Sequence, residues 1–334
     1  MGTGPSWQAF PMHDVATLHQ LLSLSFHVQQ VKELWSYAFM RPAVVACALL
    51  AVLCGYLSVH VVLRRVVFVS VALAECSSVG AALALVRGLE KATALPYTLG
   101  FGLGGVVLMA LVSGTRRISR EAVVGIVYAG GAAVSILVLA IVRQHEGHEL
   151  SAMLWGEILA IKWGDLSVMA AAFGVIGLVH LLLRKELLLS GYDPEMARAL
   201  GYRVWLLDLL FYASLGVAIA LSIRIVGLLV VFAFFTVPGA VGLLAARGLR
   251  GAALMAIAAG IVASALGIHL SWVLDLPTGL VVVALLVALV PVAALVGRVR
   301  TAIAGARGGG RAGRAAPAAS SPSPAEVVAG VTTD

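Results

Sequence analysis

Charge is what this sequence has least of. Only 12% of its 334 residues are Asp, Glu, Lys or Arg, and 61% are hydrophobic, against roughly 25% charged in soluble domains. An ordinary water-soluble fold is excluded. Cysteine is scarce as well: Cys47, Cys54 and Cys76 all fall in apolar stretches with no Cys-x-x-Cys spacing. They read as small buried hydrophobes, so no disulfide framework is expected. The chain lacks any Gly-x-x-x-x-Gly-Lys-Ser/Thr loop, so ATP-driven work would have to draw on another polypeptide. Residues 1–33 lack the short apolar core and cleavage site of a secretory leader. The net charge of +7 is spread over loops and tail instead of a soluble reading surface, which argues against a nucleic-acid partner.

What the chain has in quantity is long apolar runs. Stretches of about 20 such residues match the hydrocarbon thickness of a bilayer. Nine are legible, at 43–63, 66–88, 94–114, 121–143, 166–183, 205–223, 225–246, 251–273 and 278–297. Only helices satisfy their own backbone groups in such a membrane, so the expected fold is an all-α, polytopic transmembrane bundle of eight or nine spans. Arg64-Arg65, Arg116-Arg117-Arg120, Arg184-Lys185, Arg247-Arg250 and Arg298-Arg300 recur at every second connection. The positive-inside rule puts those connections in the cytoplasm. With an odd span count the N-terminus lies outside. Residues 1–34 read as an N-terminal arm, with an amphipathic stretch at Val15–Val28, and 35–300 as the membrane domain. The Gly-, Ala-, Pro- and Ser-rich residues 301–334 read as a disordered cytoplasmic tail whose arginines can touch anionic membrane lipid.

Between two apolar runs the chain turns polar yet stays helical in pattern, at Ser190–Asp208. Asp193 is a good N-cap, Pro194 fits the first turn and Glu195 suits the positive helix end. Met196, Ala199 and Leu200 fall on one face with Arg198 off it, and Gly201 ends the helix. A short capped helix at the membrane surface is suited to gripping a soluble partner.

This segment, Asp193–Val204, resembles the coupling helix of the ABC-3 family, the membrane permeases of bacterial ABC importers for zinc, manganese and iron. The resemblance runs from about Leu34 to Val296. It takes in Phe39-Met40-Arg41, Val61–Arg65, Glu121–Ala129 and Asp275–Gly279. It implies a multi-pass permease of the bacterial plasma membrane, working as a homodimer with a separate ABC ATPase and an extracytoplasmic substrate-binding protein. Asp193, Pro194, Glu195, Arg198, Leu200, Gly201 and Arg203 would then couple to the ATPase. No bond in the substrate changes, so the chain would be a transporter subunit and not an enzyme, with no bound cofactor of its own.

Glu75 is the most costly residue in the apolar runs, near the middle of the second span. It is followed by Cys76, Ser77 and Ser78, a small and polar helix surface suited to close packing or to lining a wet pathway. Glu75 either faces the translocation route or serves as a hydrogen-bonded strut. The family commonly carries an Asp and a His one helical turn apart here, a cation-binding pair. This chain has Val71 and Glu75 at those positions. One oxygen ligand remains as the candidate metal group, with Cys76 about 100° around the helix. A divalent metal is therefore the leading cargo. A non-metal cargo for an ABC permease and an ATP-independent secondary transporter using Glu75 as a proton relay are the alternatives.

Other polar groups read more simply. His145-Glu146-Gly147-His148-Glu149 spaces its histidines three apart, unlike the four of a zinc-protease helix, and reads as a solvated external loop. His13, His19 and His27 lack ligand spacing, and His60, His180 and His269 lie near span ends. Glu157, Lys162 and Asp165, beside Trp155 and Trp163, suggest an interfacial or re-entrant segment. Asp208 is expected to bond locally and orient its helix, and Arg224 to reach the outer interface. Gly100–Gly105 satisfies a dinucleotide pattern but lies in a span, where helix packing explains it. Pro238 removes an intrahelical hydrogen bond, so a kink is expected there in the seventh span.

Overall fold

The computed structural model describes residues 40–89, 91–113, 119–142 and 161–312. Among them every regular element is a helix: α1 (Met40–Leu63), α2 (Val67–Val86), α3 (Lys91–Ser113), α4 (Arg120–Val142), α5 (Trp163–Leu182), α6 (Arg184–Tyr192), α7 (Pro194–Ala199), α8 (Val204–Val226), α9 (Leu228–Ala245), α10 (Leu249–Leu274) and α11 (Thr278–Ala312). All but the short α6 and α7 are long and apolar enough to cross a bilayer, nine candidate spans among the described residues. Each expected run has its helix.

The spans divide into centre and rim. Two-thirds of the apolar stretch of α1 and of α8 is buried, but only 17% of that of α4. The centre holds the fully buried Phe211, Phe234 and Phe235. Small residues let backbones approach there, as they do wherever helices associate in lipid. A Cβ added at Gly239 of α9 would collide with the Ser58 carbonyl of α1. One added at Gly260 of α10 would come within 3.0 Å of Ala51 Cβ. Buried hydroxyls turn back on their own helices: Ser58 donates to Gly55 O (2.7 Å) and Ser264 to Gly260 O (2.7 Å). These bonds satisfy their donors in an apolar interior, whereas the buried Ser77 Oγ and Thr236 Oγ1 have no such partner.

The connections are tight. α1 ends with Arg65 in the left-handed region (φ 58), Arg65 N–H bonding Val62 O and Val66 N–H bonding Val61 O. Gly227 alone (φ 81) joins α8 to α9. At the α10–α11 turn, Asp275 is left-handed (φ 52) and Ser271 donates to Leu276 O at 2.6 Å. At the opposite end Arg300 donates to Ala245 O (2.6 Å) and Arg247 to Arg300 O (3.0 Å), so these arginines gather together.

α9 contains a buried Pro238, and packed neighbours stabilise a proline-containing membrane helix that would break in water. One expectation changes here. α11 continues through Ala312, twelve residues into the segment read as a disordered tail. Extending an existing helix carries no nucleation cost, and alanine is the best helix former. Residues 1–39, the loop with His145 and His148, Glu157 and residues 313–334 lie outside the described residues. Lys162 precedes α5 in extended conformation, and Asp165 belongs to its first turn.

Candidate functional site

The surface helix foreseen at Asp193 is α7. Met196 N–H donates to Asp193 Oδ1 at 2.9 Å, closing the N-terminal cap, and Pro194 opens the helix. At the other end Gly201 adopts φ 84, its N–H bonds Arg198 O (2.9 Å), and Tyr202 N–H bonds Ala197 O (3.0 Å). This pair of bonds is the Schellman stop, which favours glycine at the left-handed position. Ala197 faces inward and is buried, whereas Glu195, Met196, Arg198, Leu200 and Arg203 are exposed. With Tyr192, 81% exposed, they form a mixed apolar and charged surface beside the bundle. A cavity of about 440 Å³ lies between this helix and the start of α8, walled in part by Arg64, Arg198, Arg203 and Asp208.

Sequence reasoning missed the residue that holds this assembly. Arg64 is drawn inward from the α1–α2 turn, its side chain only 6% exposed. One amino group donates to Asp208 Oδ1 (2.7 Å); the other donates to Leu187 O (2.7 Å) and Ser190 Oγ (2.9 Å). Its guanidinium lies 4.3 Å from the centre of the Phe211 ring. The partner of Asp208 is thus 144 residues away and not local, correcting that expectation. Above it, Tyr56 and His60 of α1 continue the four-residue spacing that ends at Arg64 just past the helix. The His60 ring lies 4.7 Å from Tyr56 and 6.3 Å from His180 of α5. His180 is fully buried and 2.8 Å from Ser214 Oγ. Ser214 already donates to Phe211 O, so its oxygen accepts the Nε2 proton of His180. These two histidines are interior groups at a helix seam, not interfacial ones. The i, i+4 spacing of His60 with Arg64 was the only available signal, and His180 offered none.

Glu75 is 9% exposed and faces α4, where Ser135 Oγ donates to Oε2 at 3.4 Å. Gly131 makes the approach possible: a Cβ there would sit 3.0 Å from Glu75 Cβ. Cys76 turns toward α3, 2.9 Å from where a Cβ on Gly105 would lie. Ser77 is wholly buried against Gly102 of α3. Two glycines of the dinucleotide-like stretch, Gly102 and Gly105, thus serve helix packing, while Gly100 and Gly104 face open space. A cavity of about 910 Å³ opens between α3 and α4, with Cys76 and Val79 of α2 at its back. Of the residues read as a pathway, only Cys76 reaches this cavity; Glu75, Ser77 and Ser78 do not line it. Val71, one turn before Glu75, is half-buried. Among the described residues no three His, Cys, Asp or Glu side chains cluster to hold a metal.

The chain is similar in sequence to several membrane components of transport systems. It is 27% identical over 262 residues to the manganese transport system membrane protein MntB of Synechocystis sp., covering 77% of this chain and 82% of that one. It is 29% identical over 252 residues to the chelated iron transport system membrane protein YfeD of Yersinia pestis, covering 75% and 82%. Its fold matches a chain of PsaBC from Streptococcus pneumoniae, with a TM-score of 0.71, 21% identity, and coverage of 80% of this chain and 94% of that one. The model of the ABC 3 transport family matches residues 36–297, and the protein, a multi-pass membrane protein, belongs to that family.

Proposed function

We propose that this chain is the plasma-membrane permease subunit of an ATP-binding cassette importer for a divalent transition metal, zinc or manganese before iron. ATP hydrolysis would belong to a separate chain, and an extracytoplasmic binding protein would deliver the metal. The observation that carries the reading is α7, a doubly capped helix with exposed Met196 and Leu200 flanked by Glu195 and Arg198. The metal names borne by its relatives MntB and YfeD support the cargo.

Two copies would form the working unit. The second would sit against the α3–α4 face, where Gly100, Gly104 and Gly130 leave open space around their Cα atoms and border the large cavity. Small residues on a lipid-facing surface favour helix association. That arrangement would bring two Glu75-bearing helices toward one axis and supply a second carboxylate, which one chain alone lacks. A non-metal cargo is the second reading, favoured by Val71 and Glu75 in place of the Asp and His common in the family.

The test is co-purification of the complex from membranes. Wild-type chain should carry the ATPase with it, two copies of each. Glu195→Ala combined with Arg198→Ala should lower ATPase recovery by about tenfold, as truncation of strong interface residues does. Recovery unchanged in the double variant would remove α7 from the docking surface.

A further inference from the structure

The coupling segment α6–α7 is joined to the bundle covalently only through α5 and α8. Arg64 adds a second connection, to a part of the chain with no covalent neighbour there. Its fork holds the carbonyl of Leu187 and the hydroxyl of Ser190, both in α6, and the carboxylate of Asp208 in α8. Gly191 closes over it: a Cβ at that position would lie 2.6 Å from Arg64 Nε and 2.9 Å from Cγ. Lysine keeps the charge but lacks the planar set of donors that reaches three acceptors at once.

Arg64 is also rigidly placed. Arg65 beside it sits in the left-handed region, which residues with a Cβ, asparagine and aspartate apart, largely avoid. Only residues 64–66 separate α1 from α2. A displacement of Arg64 therefore moves the start of α2. From Val67 that helix runs unbroken to Glu75, about 12 Å at 1.5 Å per residue. Arg64 is 6% exposed and Asp208 30%, and a part-buried ion pair of this kind is seldom the most stabilising filling of its space; its best-attested use is fixing one arrangement of the surrounding parts.

We propose that Arg64 is a positioning residue that carries movement of α6–α7 to the α1–α2 turn and so to the Glu75 helix. The proposal rests on the reading of α7 as the ATPase-docking helix. It assigns the α1–α2 turn a link to the coupling segment through α6, parallel to the covalent route through α8.

The test uses the complex of this chain with its ATPase, spin-labelled through a cysteine at one of two exposed positions. Phe68 reports on the start of α2 and Tyr192 on the coupling segment, being 74% and 81% exposed. In wild type, ATP should shift both labels. Arg64→Lys should leave the shift at position 192 and reduce that at position 68 by about fivefold or more, the low end of coupling factors between linked sites. Asp208→Asn, which removes one charge with little change of shape, should act the same way and serves if Arg64→Lys assembles poorly. A merely structural role would not separate the two labels. Full shifts at both positions in both variants would overturn the proposal while leaving α7 as the docking helix. A wild-type chain that recruits no ATPase would overturn the docking reading and the proposal with it.

Discussion

Glu75→Gln is expected to reduce uptake of divalent metal at least about tenfold, because losing even a supporting partner of a metal site costs 10–100-fold. The substitution isolates charge. Glutamine has the same length, and its carbonyl oxygen can accept from Ser135, which now donates to Glu75 Oε2. It also fits the space that Gly131 leaves beside the Glu75 stem. Folding, membrane insertion and ATPase recovery should therefore match wild type. What disappears is the anionic oxygen set that a hard or borderline cation requires. Uptake assayed at equal expression reads the effect. Uptake equal to wild type would make the Glu75 carboxyl a strut between α2 and α4.

Gly239→Leu should have the largest effect on the folded bundle. The new Cβ would meet the Ser58 carbonyl and the Val59 nitrogen, both backbone atoms of α1. No rotamer relieves a collision with backbone, so α9 would have to move off α1. The cost should reach or exceed the roughly 1–3 kcal/mol typical of overpacked cores. Gly174→Leu on α5 is the matched control, since nothing lies within 4 Å of a Cβ there. Thermal unfolding in detergent should show a lowered midpoint and poor yield for Gly239→Leu and an unchanged midpoint for Gly174→Leu. Equal midpoints would mean that the α1–α9 crossing is not a determinant of stability.

The parts of this fold that were legible in the sequence are those set by local chemistry. A run of apolar residues long enough to cross lipid has one structural outcome, and so the run at 205–223 appears as Val204–Val226. The caps of α7 were equally readable, because Asp193, Pro194 and Gly201 act within one turn of themselves. Arg64 was legible only as a cytoplasmic charge. Its bonds reach residues 123, 126 and 144 positions away, and such pairings follow from helix packing that no local pattern encodes. The same holds for His60 and His180, whose burial depends on α1 meeting α5.

The most direct measurement is ATP-dependent accumulation of Zn²⁺, Mn²⁺ and Fe²⁺ in vesicles bearing the wild-type chain with its ATPase and binding protein. Accumulation of at least one of these metals, absent without ATP, is the predicted result. ATP hydrolysis by the assembled complex with none of the three metals accumulating would contradict the metal-importer account.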